Sequence, residues 1–321
     1  MRTSASYVLI AAVAALLAGC GGSGAPGAIP QGSDAQLVRG QSWAAPEAAK
    51  SDLLYVSDIR QLSVYSYPSG ELVGLIGNSQ FSRLAGECVD ASGDIFVASL
   101  GNGKIFEYAH GSKKALNTLD APAKSSPVGC AIDPTTGNLA VTSLPRKDGT
   151  GSVAIYAHAQ GSPQIYTDSR IRGYFFCSYD GDGNLFIDGR SSLDVFRFAE
   201  LPAGSSSFVD IKLSHKLTIP GSVQFDGKYV TVGDQAAAKA YEFSIKGSVG
   251  TLVNTTPLDG LKGLLRDRAF WIQGDKIVVA GTNGPTLGVD FFAYPGGGHA
   301  TKIVTKDVRY PLGLAVSLAP H

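Results

Sequence analysis

At 321 residues, 44% apolar and 17% charged, the chain has the make-up of a packed core under a modestly charged surface, and closed β folds of this length often form one unit. Its 27 basic and 27 acidic residues balance, which excludes a general electrostatic case for nucleic acid or an anionic membrane surface as partner. Forty glycines against one methionine predict many tight turns and few long helices.

Arg2 precedes an apolar stretch from Tyr7 to Leu17, short for a membrane span and shaped like the h-region of a secretory signal. It ends in Leu17-Ala18-Gly19-Cys20, which resembles the lipobox of bacterial lipoproteins. The resemblance implies a signal peptide over 1–19, cleavage before Cys20, and acylation of that cysteine on sulfur and amino group by palmitate-type chains. Several chains anchor firmly, since each buried methylene contributes about 0.8 kcal/mol. The alternative is an ordinary signal peptide or a plain apolar N-terminus. Gly21 stands where some bacteria read an Asp as an inner-membrane retention signal, so the outer membrane is favoured. The expected location is therefore the extracytoplasmic cell envelope, with the lipid bilayer as a partner. Residues 20–50 are rich in Gly, Ala, Pro, Ser and Gln without apolar periodicity. They read as a flexible tether, holding the domain at 51–321 on the order of 30 Å from the lipid.

Apolar runs broken by Gly/Asp turns then recur six times, at a spacing of roughly 41–50 residues. First strands end near an aspartate at 85–90, 128–133, 175–180 and 221–226, with a degenerate copy at 263–267 and a final one at 311–317. Second strands fall at 53–57, 95–99, 139–143, 185–188, 229–233 and 277–281. Third strands fall at 62–67, 104–109, 153–157, 193–198, 240–245 and 289–294. Gly/Asp/Asn turns such as 91–94 and 181–184 suit tight hairpins between first and second strands. Fourth strands are expected to be shorter and more polar, as befits an outer edge that meets water. One such unit cannot bury its own faces, so the copies must pack on one another. The chain begins its repeats with a second strand at Leu53 and ends them with an unaccompanied first strand. Joining the two closes a ring and removes both ragged edges. The expected fold is all-β: a six-bladed β-propeller of four-stranded blades, closed by the C-terminal strand.

The phrases 127–133 with 137–142, and 311–317 with 53–58, resemble the cadence of NHL-type and related six-bladed propellers. The resemblance spans about 53–318 and is nearly silent on activity, because such propellers include scaffolds, ligand-binding modules, lactonases and lyases.

In a propeller, second-to-third and fourth-to-first loops share one face around the channel mouth. Seven of the ten arginines beyond the tether fall there: Arg60, Arg83, Arg146, Arg170, Arg172, Arg190 and Arg309. Their planar forks suit an anionic glycan, a peptide carboxylate or a small acid. The competing reading pairs them with Asp58, Asp148, Asp168 and Asp188 as a solvated rim. Tyr174, Phe175 and Tyr310 on the same face either stack on sugar rings or plug the mouth.

Cys88, Cys130 and Cys177 occupy successive first strands in apolar settings. Their odd number leaves at least one thiol free, and the spacing does not decide whether two pair. Gluconolactonase-type propellers hold a divalent metal through Glu, Asn and Asp from different blades. By that resemblance Glu87 is the one weak candidate for calcium or zinc, with Asn102, Asn283 and Asp234 on loops; their spacing matches no motif, and no cofactor is expected. Asp180-Gly181-Asp182-Gly183-Asn184 alternates oxygen ligands like a calcium loop but reads as a hairpin turn. His110, His158 and His299 follow third strands on the opposite rim, His215 stands alone, and no catalytic pairing stands out. The expected function is a membrane-anchored scaffold that binds a glycan, an anionic small molecule or an envelope protein. The alternative is a metal-dependent lactonase or hydrolase.

Overall fold

The computed structural model describes residues 48–146, 149–261, 269–283 and 286–320. The expected signal peptide, Cys20, most of the tether and the degenerate strand at 263–267 lie outside them. No helix among the described residues is long and apolar enough to cross a membrane.

Period-two alternation sets the architecture. In Leu53–Ser57, Leu53 and Tyr55 enter one apolar cluster while Leu54 and Val56 enter another on the opposite face. Strands covered on both faces read as unbroken apolar runs, as 53–56 and 95–98 do. Six such two-faced sheets stand around an axis. From the inside outward, blade 1 is Gly313–Ser317, Leu53–Ser57, Gln61–Ser66 and Leu72–Gly77. Blade 2 is Leu84–Val89, Ile95–Ser99, Lys104–Tyr108 and Ala115–Asp120; blade 3 is Ser125–Ile132, Leu139–Pro145, Ser152–Tyr156 and Gln164–Tyr166. Blade 4 is Gly173–Tyr179, Leu185–Arg190, Phe196–Leu201 and Val209–Asp210. Blade 5 is Pro220–Phe225, Val230–Asp234, Lys239–Lys246 and Val249–Asp259, and blade 6 is Phe270–Gln273, Lys276–Asn283, Thr286–Ala293 and Lys302–Val304. The expected ring closure is present: Leu53 pairs antiparallel with Ser317, and Ser57 with Gly313.

Six buried clusters fill the six seams between blades. On the inner strands the backbones approach too closely for side chains. A Cβ on Gly129 would lie 2.7 Å from the Phe175 carbonyl oxygen of blade 4. At that seam the Thr142 hydroxyl accepts the Gly129 N–H at 3.1 Å and donates to the Phe175 carbonyl at 2.6 Å. Ser57 does the same between blades 1 and 2, accepting from Gly313 and donating to Ala85. Between blades 5 and 6 the Gln224 amide takes the Ile272 N–H at 2.6 Å and gives a hydrogen bond to its carbonyl at 2.9 Å.

Three expectations change. The third strand of blade 4 begins at Phe196 rather than 193, because Ser191 closes a turn through the N–H groups of Leu193 and Val195. The fourth strand of blade 5 is eleven residues long, not short. The inner strand of blade 6 is Phe270–Gln273, downstream of 263–267.

Cys88 and Cys130 form a disulfide across the seam of blades 2 and 3, with Cα atoms 5.6 Å apart; Cys177 is free and buried. Closing a separation of 42 residues restricts the unfolded chain by about 4 kcal/mol in the loop-entropy account. The double variant Cys88→Ala/Cys130→Ala is therefore expected to fold but to lose a large share of that stability in urea denaturation. An unchanged midpoint would show the bond to be energetically idle.

Candidate functional site

The second-to-third loops and the loops entering each inner strand share one end of the ring, and the arginines sit there. Arg60, Arg83, Arg146, Arg172 and Arg309 are exposed, and Arg190 is half-buried. Three of these come together around blade 1. The Arg83 N–H donates to the Ile59 carbonyl at 2.7 Å, tying the loop that carries Ile59 and Arg60 to the loop that carries Arg83. The segment bearing Arg309 and Tyr310 lies over the same blade: the Ser63 hydroxyl donates to the Asp307 carbonyl at 3.2 Å, and the Leu312 N–H donates to the Ser57 carbonyl. Ile59 is 46% exposed and Tyr310 36%. No ion pair joins Arg60, Arg83, Arg172 or Arg309 to a described residue.

The other arginines have local partners. Arg146 donates to the Gly101 carbonyl at 2.7 Å, and Arg190 pairs with Asp194 at 2.5 Å. Arg170 grips both oxygens of Asp168. Burial pushes the Asp168 carboxyl upward, but hydrogen bonds from Arg170 overcome it and hold the group below its usual range. Two of the other three expected partners make no ion pair with a described residue, and the third is not described. Asp58 is buried with Oδ1 accepting from the Ile59 N–H, Asp188 is wholly buried, and Asp148 lies outside the described residues. Tyr174, expected on the rim, is 0% exposed, and its hydroxyl accepts the Asp168 N–H at 2.6 Å. Phe175 is half-buried and packs into the seam of blades 4 and 5.

The axial cavity lies elsewhere. It measures about 170 Å³, and its walls in blades 2 to 5 come from the C-terminal ends of the inner strands, including Val89, Ile132, Tyr179 and Phe225. None of those arginines lines it. Ser178, Ser222 and Gln224 in the wall are occupied with joining blades. Ser178 accepts the Phe225 N–H, Ser222 accepts the Phe270 N–H, and Gln224 brackets Ile272.

Glu87 belongs to that wall, yet it is 6% exposed and both carboxyl oxygens are sealed without a hydrogen-bond partner. The carboxyl turns into the seam with blade 1, against the bare Cα of Gly313. Ser57 adjoins it, but that hydroxyl donates to the Ala85 carbonyl. Burial pushes the Glu87 pKa well above its usual value, and Ser57 opposes this only in part. Sealed against Gly313, these oxygens are not presented to an ion in the cavity. Asn102 is spent on the Gln80 carbonyl and Asp234 on the N–H groups of Thr218, Ile219 and Ala236; the Asn283 side chain lies outside the described residues. Among the described residues no three of His, Cys, Asp and Glu gather at metal-binding distance.

Asp180 closes a hairpin turn, its Oδ1 accepting the N–H groups of Asp182 and Asn184, both at 2.9 Å. His110 bridges the two ends of the ring, with Nδ1 2.6 Å from the Ser317 hydroxyl and Nε2 3.0 Å from the Ser51 carbonyl.

This geometry defines a closed six-bladed β-propeller whose accessible chemistry lies on its loops. No family model and no curated protein matches the chain. Solved structures share the fold. A chain of a nidogen/laminin complex aligns with TM-score 0.66 and 14% identity over 84% of this chain and 100% of that one. A protein of unknown function from Bacteroides caccae aligns with TM-score 0.62 and 12% identity over 83% and 99%. A functionally unknown protein from Desulfotomaculum acetoxidans DSM 771 gives 0.59 and 12% over 84% and 99%.

Glu87 carries a pH dependence of known sign. An acid whose folded pKa is raised stabilises fully below its unfolded pKa, and that contribution fades as pH rises toward the folded value. Glu87→Gln is expected to melt near wild type at pH 4.5 and above it at pH 8. A gap that does not widen with pH would show that Glu87 is not held neutral.

Proposed function

We propose that the protein is a lipid-anchored, extracytoplasmic scaffold, held in the outer membrane through acylated Cys20, that binds an anionic partner on the loops of blade 1. An acidic glycan, a small carboxylate and an acidic segment of an envelope protein share the required chemistry. One observation carries the reading: Arg60, Arg83 and Arg309 stand exposed beside Ile59 and Tyr310 with no ion pair to a described residue. Arginine and tyrosine dominate interface hot spots, because a planar fork or ring brings large contact area with few lost rotamers. Free arginines on a chain of zero net charge make a local positive field rather than a general one.

The course of the chain supports the same face. Ala48–Lys50 packs at the opposite end of the ring, where Gly111 has no room for a Cβ beside Ala49. The described chain therefore enters the domain at the end away from the blade 1 arginines. A structurally similar chain from a nidogen/laminin complex fits a propeller used for association. The metal-dependent lactonase reading gains no support from Glu87, whose oxygens are sealed.

A glutamate-rich peptide and polygalacturonate serve as probes in surface plasmon resonance at low and physiological salt. The variant Arg60→Ala/Arg83→Ala/Arg309→Ala is expected to lose at least tenfold in affinity, about 1.4 kcal/mol. Wild-type binding should weaken as salt rises. Equal binding by the triple variant would sink the face assignment.

A further inference from the structure

The seam between blades 3 and 4 opens into a groove at the end of the ring opposite the arginines. The outer strands of both blades are short: Gln164–Tyr166 has three residues and Val209–Asp210 two. The space left between the blades measures about 640 Å³. Ile155, Leu185 and Leu201 give it an apolar floor. Both walls are held by their own hydrogen bonds. On blade 3 the Asp133 carboxylate accepts the Thr135 N–H at 2.8 Å, the Thr135 hydroxyl at 2.7 Å and the Thr136 hydroxyl at 2.6 Å. On blade 4 the Ala203 N–H donates to Asn184 Oδ1 at 3.0 Å, and the Ser205 N–H to the Pro202 carbonyl at 2.9 Å. The walls meet at Gly183, where a Cβ would lie 3.0 Å from the Thr135 hydroxyl.

Tyr179 is the group left over. It is 8% exposed, yet its hydroxyl makes no hydrogen bond with a described residue and its oxygen is not sealed. Other buried tyrosines are satisfied within the fold. The Tyr65 and Tyr156 hydroxyls donate to the Lys306 and Asp120 carbonyls, both at 2.6 Å, and that of Tyr55 accepts the Gly111 N–H. The Tyr179 ring packs in the seam with Leu185 and Leu201. Burial foremost, then Cys177, Asp133 and Tyr166, pushes its pKa upward, which keeps the phenol a neutral donor. Asp133 and Tyr166 both line the groove, so the hydroxyl opens there rather than into the axial cavity. Half-buried Tyr166 also keeps its hydroxyl unpaired among the described residues. Asn138 spends only Oδ1, on the His158 N–H, and the exposed Gln164 amide points to no described partner. Among the described residues no Lys, Arg or His lines the groove. Asp133 is its one ionised group, and its oxygens are already engaged by the two threonines.

We propose that this groove is a binding site for a neutral carbohydrate, whose hydroxyls meet the Tyr179 and Tyr166 phenols and the Asn138 and Gln164 amides while a C–H face of the sugar lies on the apolar floor. Phenols and amides both give and accept hydrogen bonds, as sugar hydroxyls require. A buried phenol without a partner gains one when the sugar binds, and no ion has to be desolvated. An apolar floor with a few placed polar groups is the usual make-up of a small-ligand site. The inference stands independently of the blade 1 reading, because the sites lie at opposite ends of the ring and share no residue.

Isothermal titration calorimetry with maltotriose, cellotriose and N,N′-diacetylchitobiose, at low and physiological salt, tests it. Saturable binding of at least one sugar is expected, with an affinity that salt leaves unchanged. Preference among the three distinguishes an α-glucan, a β-glucan and an N-acetylglucosamine source. Tyr179→Phe keeps the ring and removes only the hydroxyl. It is expected to melt no lower than wild type and to bind about fivefold more weakly, as loss of one neutral hydrogen bond implies. Gln164 is exposed, so Gln164→Ala leaves the fold intact and is expected to weaken binding severalfold. The Arg60→Ala/Arg83→Ala/Arg309→Ala protein should bind the same sugar as wild type does. No saturable binding of any of the three, or unchanged affinity in both Tyr179→Phe and Gln164→Ala, overturns the proposal. So does a lowered melting temperature in Tyr179→Phe, which would show the hydroxyl bonded within the fold, or loss of sugar binding in the blade 1 triple variant.

Discussion

Every blade of this protein has two apolar faces, and that is the constraint from which the rest follows. A sheet with one wet face can end a structure; a sheet with none needs a neighbour on each side. Six such sheets satisfy the demand only by returning on themselves. The return is made within blade 1, where Gly313–Ser317 completes a sheet begun by Leu53–Ser57. Apolar burial at every seam therefore depends on one antiparallel pairing between the two ends of the domain. His110 adds a polar clasp at the same place, reaching Ser51 on one side and Ser317 on the other.

Closing a ring of six crowds the axis. Glycine at 86, 129 and 313 lets inner strands meet backbone to backbone, and Ser57, Thr142 and Gln224 satisfy groups exposed by that approach. The polar side chains near the axis are thereby consumed by the architecture, and the space left is small. Glu87 and Asp188 show the cost. Burial pushes the pKa of each well above the usual carboxylate range, and backbone N–H donors to Asp188, Phe176 foremost, offset this only in part. Free charge is displaced outward to the loops, where Arg60, Arg83 and Arg309 stand exposed.

Much of the fold was legible because its signal is local and repeated. Hairpin turns such as Asp180–Asn184 follow from side chains two to four residues apart, and the second strands follow from unbroken apolar runs. Errors arose where a local pattern had a competing tertiary explanation. Leu193 and Val195 look like the apolar positions of a strand, yet they ride an exposed turn closed by Ser191, with Leu193 84% exposed. Tyr174 looked like a rim aromatic and is a buried strut.

The amino-acid order by itself determined the number of blades, the strand succession and the closure of the ring, since each rests on period-two alternation and on complementary fragments at the two ends. Only the tertiary structure decided that Cys88 pairs with Cys130, that the Glu87 carboxyl turns into a seam, and which arginines form no ion pair with a described residue. Those outcomes depend on distances between neighbouring blades about 40 residues apart in sequence. A pattern read along one strand says which face a residue takes, and not what stands across from it.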